Sequence, residues 1–286
     1  MSVGQTEIAN KGHSEKTRTQ RKELLIQRKS EQGFVSAVLG LLPNILGFIS
    51  LFLIWHLASV YVVESILFPS PLVVFQKAWS LALSGVLFEN VGYSLRRILI
   101  GFFMGSAIAV PLGLIIGSFS LARKLLEPWT EFLRFIPSVA MITIAVIWFG
   151  IGEQSKIFLI IYSTIFIVIL NTAAGVSAIT PNKIRAALVL GASQRQVFFN
   201  VSLPATVPYI LTGMRLAMAN SFTTIVAAEM IAANEGIGVM LWNGRMYMLI
   251  DEIFVALLCL GLLGFGADRL FRWAIFRFAG RYSPVA

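Results

Sequence analysis

The sequence predicts an all-α, polytopic membrane protein with about six transmembrane helices, from its composition, its long apolar stretches and the distribution of its basic residues. Hydrophobic residues make up 57% of the 286 residues and charged residues only 13%, whereas soluble domains average roughly 45–50% and about 25%. The mean hydropathy is +0.81. A chain of this composition is expected to fold in a lipid bilayer.

Six apolar stretches are candidate membrane spans. A helix needs about 20 predominantly apolar residues to cross a hydrocarbon core about 30 Å thick. The third and sixth stretches are short as uncharged runs, so we expect their helices to extend into flanking residues that include Arg134 and Asp268. The stretches lie at residues 41–63, 98–116, 136–151, 157–178, 209–233 and 253–267.

Lys and Arg are unequally distributed between the two sides of this predicted bundle. If the N-terminus lies inside, the segments outside the spans hold sixteen Lys and Arg on the inner side and five on the outer side. Cytoplasmic loops of membrane proteins carry such an excess. We therefore predict a cytoplasmic (inner) membrane protein with both termini in the cytoplasm, whose net charge of +9 requires no nucleic-acid partner.

The first 33 residues differ from the rest of the chain. They contain seven basic and four acidic residues with little apolar periodicity, which is typical of a solvated tail. The sequence therefore predicts a basic cytoplasmic tail at 1–33 and a transmembrane domain, in contact with the lipid bilayer, at 34–286. The single cysteine, Cys259, cannot form a disulfide within the chain.

Two connections between the spans carry helical signals of their own. On the predicted outer side, Phe68-Pro69-Ser70-Pro71 breaks the chain, and the apolar segment 72–83 is too short to span, so it is predicted to be a helix at the membrane surface.

The inner connection, loop 180–208, is more strongly patterned. A helix is predicted from Pro181 and ends at Gly191, whose permissive backbone suits a C-cap. A second helical segment is predicted from Ser193 and ends at Pro204. From these residues alone, a docking surface for a partner and a simple connecting hairpin remain equally compatible with the loop.

Loop 180–208 resembles the EAA loop of ATP-binding-cassette importer permeases. The resemblance rests on Ala186-Ala187, Gly191 and Leu203-Pro204 at the spacing of that signature. Where the family motif usually begins with Glu, this chain has Arg185, so the partner surface is expected to differ locally. Flanking motifs, within residues 65–275, are similar to the branch that handles sulfonates, taurine, nitrate and bicarbonate: FPSP at 68–71, SLRR at 94–97, IWFGIGE at 147–153 and VAAEMIAA at 226–233.

This resemblance implies the type I fold of ABC importer permeases and a transporter of several subunits. Two permease copies, with a homodimer favoured, would form the path, an extracytoplasmic solute-binding protein would deliver the solute, and an ATP-binding cassette ATPase dimer would bind ATP and Mg²⁺. The residues that the resemblance assigns to coupling with the ATPase are Arg185, Ala186, Ala187, Gly191, Leu203 and Pro204.

The chain itself is predicted not to be an enzyme. It contains no G-x-x-x-x-G-K-[ST] phosphate loop, so no ATP or other cofactor is expected to bind to it. Its two histidines, His13 in the tail and His56 in an apolar stretch, lack the spacing of a metal site or a catalytic triad. We therefore expect neither catalytic residues nor a metal.

The resemblance implies a small anion as the solute, such as an aliphatic sulfonate, taurine, nitrate or bicarbonate. The same machinery importing a thiamine-precursor pyrimidine or another small organic solute is the first alternative, because related branches share these motifs. A secondary transporter is the second, but it would require inverted hydropathy repeats, and the chain shows no convincing repeat.

Polar side chains within the third to fifth spans are candidates for the translocation path. In hydrocarbon such groups require partners or water, and the run from Asn220 to Thr224 is unusually polar for a span. Helix packing accounts for Ser and Thr equally well, so both interpretations stay open. The candidates are Ser138, Thr143, Asn171, Thr172, Asn220, Ser221, Thr223 and Thr224.

Two ionisable residues, Arg215 and Glu229, lie within the fifth span. They are 14 residues apart, about 21 Å on a helix, and cannot pair with each other. Arg215 is predicted to snorkel towards the inner end. Glu229 precedes Asn234-Glu235-Gly236 and is predicted to hydrogen-bond a broken backbone near the outer gate, in a gating or a purely structural role. It is not expected to bind an anionic solute directly, because a carboxylate repels one.

Overall fold

The protein is predominantly helical in the residues that its computed structural model describes, which are 46–47, 49–61 and 67–279. No strand occurs in these ranges, so the all-α prediction is confirmed. The predicted tail at 1–33 lies outside the described residues. The described residues up to Pro71 and those from Leu72 on form two separate compact units.

The first unit contains α1 (Ile49–Tyr61), an apolar helix within the first predicted span. The remainder of that stretch, apart from residues 46–47, lies outside the described residues. Within this unit, Trp55 Nε1 donates a hydrogen bond to the Pro69 carbonyl at 3.1 Å, so the prolyl segment after the span is tied back to the helix.

Ten helices, α2 to α11, follow from Pro71 on. They are α2 (Pro71–Leu83), α3 (Val86–Ser118), α4 (Ser120–Arg134), α5 (Ile142–Phe149), α6 (Glu153–Ser177), α7 (Pro181–Val189), α8 (Gln194–Val197), α9 (Leu203–Ala232), α10 (Ile237–Met246) and α11 (Ile250–Ala279). The helix predicted at 72–83 is confirmed as α2, and the helix predicted from Pro181 as α7; the position of α2 at the membrane surface stays a prediction.

Four helical runs in the described part of the chain are long and apolar enough to cross a membrane. They are Val86–Ser118, Glu153–Ser177, Gln194–Ile231 and Ile250–Arg277, and they correspond to the second, fourth, fifth and sixth predicted stretches. As predicted, the last one extends beyond its uncharged run to include Asp268. The second begins twelve residues earlier than predicted, which brings Arg97 into the helix.

The third predicted stretch, 136–151, is not one spanning helix, and that prediction was wrong. The amphipathic helix α4 ends at Arg134, turns occupy residues 135–141, and α5 is only eight residues long. Pro137 lacks an N–H and disfavours helical backbone at the residue before it. The Tyr162 hydroxyl donates to the carbonyl of Leu133 at 2.7 Å, which satisfies one acceptor at the interrupted end of α4.

Helices α3 and α6 run parallel and in close contact. A methyl group placed on Gly101 would lie 2.6 Å from Ile160 Cβ, and one on Gly113 would lie 2.6 Å from Thr172 Cβ. The same offset in residue number at both contacts shows that the two helices keep one register over several turns. Small residues permit such close packing where lipid supplies no hydrophobic driving force between helices.

Helix α9 runs antiparallel to α6, because Gly213 faces Asn171 whereas Gly175, further along α6, faces Tyr209. The bundle therefore has two ends. At one, α3 and α6 begin and α9 ends; at the other, α3 and α6 end and α7 lies next to the start of α9.

Pro204 does not end the second helix of loop 180–208, contrary to the prediction. Helix α8 passes through a π-helical turn at Phe198–Ser202 into α9 without a break. In that turn the Leu203 N–H bonds to the carbonyl of Phe198, five residues back. The wider turn accommodates a proline, which has no N–H and whose ring would otherwise crowd a carbonyl of the preceding turn.

Candidate functional site

The turn after α7 has the geometry of a Schellman motif. Gly191 has φ +86°, its N–H donates to Leu188 O, and the Ala192 N–H donates to Ala187 O, both at 3.0 Å. These bonds satisfy two of the orphan carbonyls at the end of α7. The C-cap predicted at Gly191 is confirmed, and a Ser193–Gln196 capping box begins α8 directly after it.

This turn presents apolar side chains to the surface. Val189 is 87% exposed and Leu190 is 86% exposed, whereas the next buried side chain in the loop is Val197. Among the residues that the resemblance assigns to coupling, Arg185, Ala186 and Gly191 are exposed, and Ala187, Leu203 and Pro204 are half-buried.

Two of the path candidates line a cavity of about 410 Å³ between the turn at 135–141, α6 and α9. Ser138 and Asn220 belong to its wall, together with Arg134 and Tyr162. Irregular backbone at membrane depth is tolerated where it lines a cavity or is buried in protein, and the interrupted third stretch fits that condition.

The other path candidates divide between packing and exposure. Ser221 is buried and donates to Ala217 O at 2.8 Å, and Thr224 is buried with its hydroxyl 3.3 Å from that of Ser138. Asn171 Nδ2 donates to Ile167 O at 2.8 Å. The remaining three candidates are Thr172, which is buried, and Thr143 and Thr223, which are exposed.

A buried charged cluster lies at the end of the bundle where α3 and α6 begin. Its centre is Arg97, which is 1% exposed. Nη1 donates to Glu229 Oε1 at 2.7 Å and to the Glu235 carbonyl at 2.6 Å, while Nε and Nη2 donate to the two oxygens of Glu153 at 2.8 and 2.6 Å. Lys156 adds a bond to Glu153 at 3.2 Å.

Glu229 connects this cluster to the break between α9 and α10. Its buried carboxylate accepts from the Ser94 hydroxyl at 2.8 Å and from the Gly238 N–H at 2.9 Å. Ser94 in turn accepts from the Ile237 N–H at 2.9 Å, and Asn90 accepts from the Gly236 N–H at 2.7 Å. Three successive backbone donors of the break are thus satisfied by side chains.

The bond predicted between Glu229 and a broken backbone is therefore confirmed, but its main charged partner was missed. The sequence prediction put Arg97 in an outer connection, because the apolar run begins only at Ile98. A signal was present: Leu87, Val91, Leu95 and Ile98 recur at helical spacing, which indicates a helix that continues upstream past the charges. We name Arg97, Glu229, Glu153, Ser94 and Lys156 the Arg97 cluster.

Arg215 has an ion partner, Asp268, that the sequence analysis did not identify. Its guanidinium pairs with Asp268 on α11, with Nη2 at 3.2 Å from Oδ2 and a second, shorter bond from Nε. Arg272 also contacts Oδ2, at 2.9 Å. Asp268 lies 53 residues further along the chain, so the pairing depends on how α9 and α11 pack.

Within residues 46–47, 49–61 and 67–279, no three His, Cys, Asp or Glu side chains are grouped so that they could hold a metal ion. Of the two histidines, His13 lies outside these ranges.

The sequence matches a protein family described as the inner membrane component of binding-protein-dependent transport systems, over residues 109–279. A probable ABC transporter permease protein of Brucella melitensis is 39% identical over 220 residues, which cover 77% of this chain and 89% of that protein. The taurine transport system permease protein TauC of Escherichia coli is 35% identical over 217 residues, 74% of this chain and 78% of that one. The nitrate import permease protein NrtB of Synechocystis is 35% identical over 211 residues, 70% and 76% of the two chains.

A solved structure shares the fold. A chain of the MetNI methionine ABC transporter, in inward-facing conformations, superposes with a TM-score of 0.58 over 71% of this chain and 99% of its own length, at 18% sequence identity. The type I importer permease fold predicted from the EAA-like loop is thereby confirmed.

Proposed function

The chain belongs to the family of inner membrane components of binding-protein-dependent transport systems, and we propose that it is the permease of an importer for a small solute that carries an oxyanion. As a permease subunit of an ABC transporter it is not an enzyme, and ATP hydrolysis lies in the partner ATPase. The finer parts of the proposal concern the solute, the assembly and the coupling contact.

The solute class is supported by the relatives. TauC is named for taurine and NrtB for nitrate, and these solutes share a compact, negatively charged group of oxygen atoms. An aliphatic sulfonate or bicarbonate has the same chemistry. A thiamine-precursor pyrimidine carries no such group, so its transport would contradict this part of the proposal.

The proposed assembly contains two permease copies, an ATPase dimer that binds ATP and Mg²⁺, and an extracytoplasmic binding protein. Two copies are supported by the position of the cavity beside Asn220, which opens on the surface of a single chain instead of being enclosed by it. A homodimer is the simplest arrangement of this kind. With both termini in the cytoplasm, as the excess of basic residues favours, α7 lies on the side of the ATPase.

The coupling contact is proposed for the turn around Gly191. The exposed side chains of Val189 and Leu190 would enter a groove of the ATPase, and the Schellman turn would hold them at a fixed angle to α9. Since α8 continues into α9 through the π-helical turn, a movement of the docked loop would pass directly to a membrane-spanning helix.

Glu229 is proposed to position the break between α9 and α10 and not to contact the solute. All of its described bonds are directed to Arg97, Ser94 and the Gly238 N–H, and its side chain is buried. Any gating role of the predicted kind would therefore act through movement of α10.

Uptake by the reconstituted complex tests the function. The chain, co-purified with its ATPase and its binding protein, would be placed in proteoliposomes and offered taurine, methanesulfonate, nitrate or a neutral pyrimidine, with ATP inside. ATP-dependent uptake of at least one anion is expected. Uptake of the pyrimidine alone would contradict the solute class, and uptake without any ATPase would contradict the permease function.

The coupling contact is tested by Gly191→Val with Gly85→Val as the matched control. Both glycines have positive φ, +86° and +82°, and open space where a side chain would be added, so each substitution introduces a similar backbone strain of roughly 1–3 kcal/mol. We expect both variants to reach the membrane. Gly191→Val should lose the ATPase on purification or hydrolyse ATP without uptake, whereas Gly85→Val should transport normally.

Equal uptake by the two glycine variants would show that the loop is a simple connector. Arg185→Glu, which introduces the residue that is usual in the family, should have a milder effect than Gly191→Val. If the partner carries a matching acidic group, like-charge repulsion would instead weaken assembly.

A further inference from the structure

The cavity beside the interrupted third stretch has the size and the polarity of a small-solute site. Its volume of about 410 Å³ lies within the range of roughly 300–1,000 Å³ that is typical of ligand pockets. Apolar side chains such as Phe166 and Leu170 form part of the wall, and a few convergent polar groups, from Arg134, Ser138 and Asn220, form the rest.

Arg134 is the charged residue of this wall, and the other lining residues carry no charge. It is the last residue of the amphipathic helix α4, directly before the turn at 135–141. The Arg134 guanidinium lies over the ring of Phe135, 4.6 Å from its centroid, and Nη2 is 3.4 Å from the Glu131 carboxylate. Glu131 does not line the cavity.

The contacts of Arg134 differ from those of Arg97. Arg97 directs each nitrogen of its guanidinium at an acceptor within 2.8 Å. Arg134, in contrast, is 36% exposed and makes a single longer ion pair with a carboxylate that is itself half exposed. Its planar fork therefore retains N–H donors for an oxyanion, which guanidinium groups bind in bidentate geometry.

We propose that this cavity is an oxyanion subsite of the transport path, in which Arg134 binds the sulfonate or nitrate oxygens and Ser138 and Asn220 add hydrogen bonds. This inference rests on the proposed function. The Asn220 amide supplies two N–H donors. The Ser138 hydroxyl lies 3.3 Å from the Thr224 hydroxyl, which is a long distance for a hydrogen bond between hydroxyls. Glu131, one turn before Arg134, competes with the ligand and keeps the site weak, as transport requires.

Charged thiol reagents test the subsite without knowledge of the transported solute. In a Cys259→Ser chain, Asn220→Cys would be modified in the intact complex with a sulfonatoethyl and with a trimethylammonioethyl methanethiosulfonate. The first reagent is itself an aliphatic sulfonate, and the second is a cation of similar length. A positive charge in the cavity favours the anionic reagent.

Arg134→Gln should lower the ratio of anionic to cationic modification rates about fivefold or more. Lys124→Gln, which removes an exposed cation from the same helix, should leave the ratio unchanged. An unchanged ratio in Arg134→Gln, or the same fall in Lys124→Gln, would overturn the subsite.

A protection experiment requires no change at Arg134. Methanesulfonate should slow modification of Cys at position 220, whereas methanesulfonamide, which is neutral and nearly isosteric, should slow it much less. Equal protection by both compounds, or protection by neither, would overturn the inference even if Arg134→Gln does not accumulate in the membrane.

Uptake separates this inference from the proposed function. In a complex that transports an anion, Arg134→Gln should lower uptake at low solute concentration about tenfold, consistent with the loss of one charge-assisted contact, while ATP hydrolysis stimulated by the loaded binding protein persists. Arg134→Lys should retain most of the uptake. Normal anion uptake by Arg134→Gln would overturn the subsite and leave the permease function intact, and a complex that carries only neutral solutes would refute the solute class.

Discussion

The Arg97 cluster and the Arg215–Asp268 pair both place charged side chains within the spanning helices, but Arg97 is buried and Arg215 is partly exposed. Arg97 is 1% exposed and bonds residues of α6 and α9 and the segment before α10. Arg215 is 41% exposed, and Asp268 retains a second cation in Arg272. When a buried ion loses its partner, neither water nor another charged group can take the partner's place. A half-exposed ion is stabilised by water and, in the case of Asp268, by a second cation.

This difference indicates what each group does for the bundle. The Arg97 cluster joins α3, α6 and α9 to α10 and satisfies the backbone of the α9–α10 break, so that end is held together by the chain itself. The opposite end, around Val189 and Leu190, leaves its apolar side chains exposed. The first end is expected to stay folded without a partner, and the second to depend on one.

The largest expected effect is that of Arg97→Met. It would leave the buried carboxylate of Glu229 without its cation and free the Glu235 carbonyl, and breaking a buried pair in this way costs about 3–5 kcal/mol. We expect a large loss of protein from the membrane and a lower unfolding temperature in detergent. Both are measured by fluorescence-detected chromatography of heated samples.

Arg96→Met is the matched control, because Arg96 is the exposed neighbour of Arg97 on the same helix; it should be close to wild type. The double variant Arg97→Met with Glu229→Met replaces both ions by apolar side chains and should recover part of the stability. A double variant as unstable as the sum of its single variants would argue that the two residues are not energetically coupled.

A smaller effect is expected for Arg215→Gln. Asp268 would keep Arg272, at 2.9 Å, and partial access to solvent, so the loss should be no more than about 1 kcal/mol. The same heated-sample assay compares this variant directly with Arg97→Met. If the two variants lose equal stability, burial does not decide the strength of these pairs, and the comparison fails.

The helices were predictable from the sequence to the extent that their signals are local. The C-cap at Gly191 was predicted because a helix end followed by glycine is encoded within a few residues, and α6 and α11 were predicted because apolar runs suffice. The start of α3 was placed too late because the uninterrupted apolar run begins only after Arg97. The interruption of the third stretch shows the reverse error, in which the apolar run concealed the effect of Pro137.

The side-chain partners were not predictable in the same way. Glu229 was identified as a residue that needs a partner, but Arg97 lies 132 positions earlier in the chain and Asp268 lies 53 positions after Arg215. Such pairs depend on which helices are neighbours and in which register, as the contacts at Gly101 and Gly113 illustrate. The candidates of the path divide for the same reason: Asn220 lines the cavity, whereas its neighbour Ser221 packs against α6 through Thr164.

The smallest expected effect is that of Lys77→Met, at a contact between the middle of α2 and the first turn of α11. Lys77 Nζ lies 2.9 Å from Glu252 Oε1 and 3.8 Å from Asp251 Oδ2, and the hydrogen bond to Glu252 raises the pKa of Lys77 above its ordinary value of 10.5. A raised pKa means that the pair stabilises the fold fully at pH values below 10.5 and that this contribution is lost as the pH rises through the folded-state pKa. Because the lysine is partly exposed, the contribution is at most about 1 kcal/mol.

The unfolding temperatures of wild type and Lys77→Met should therefore differ slightly and by a constant amount between pH 7 and pH 9, two values chosen well below the Lys77 pKa. The difference should shrink only in stronger base. A difference that already disappears between pH 7 and pH 9 would mean that Lys77 is not the group that holds α2 to the start of α11, since its ammonium remains charged throughout that range.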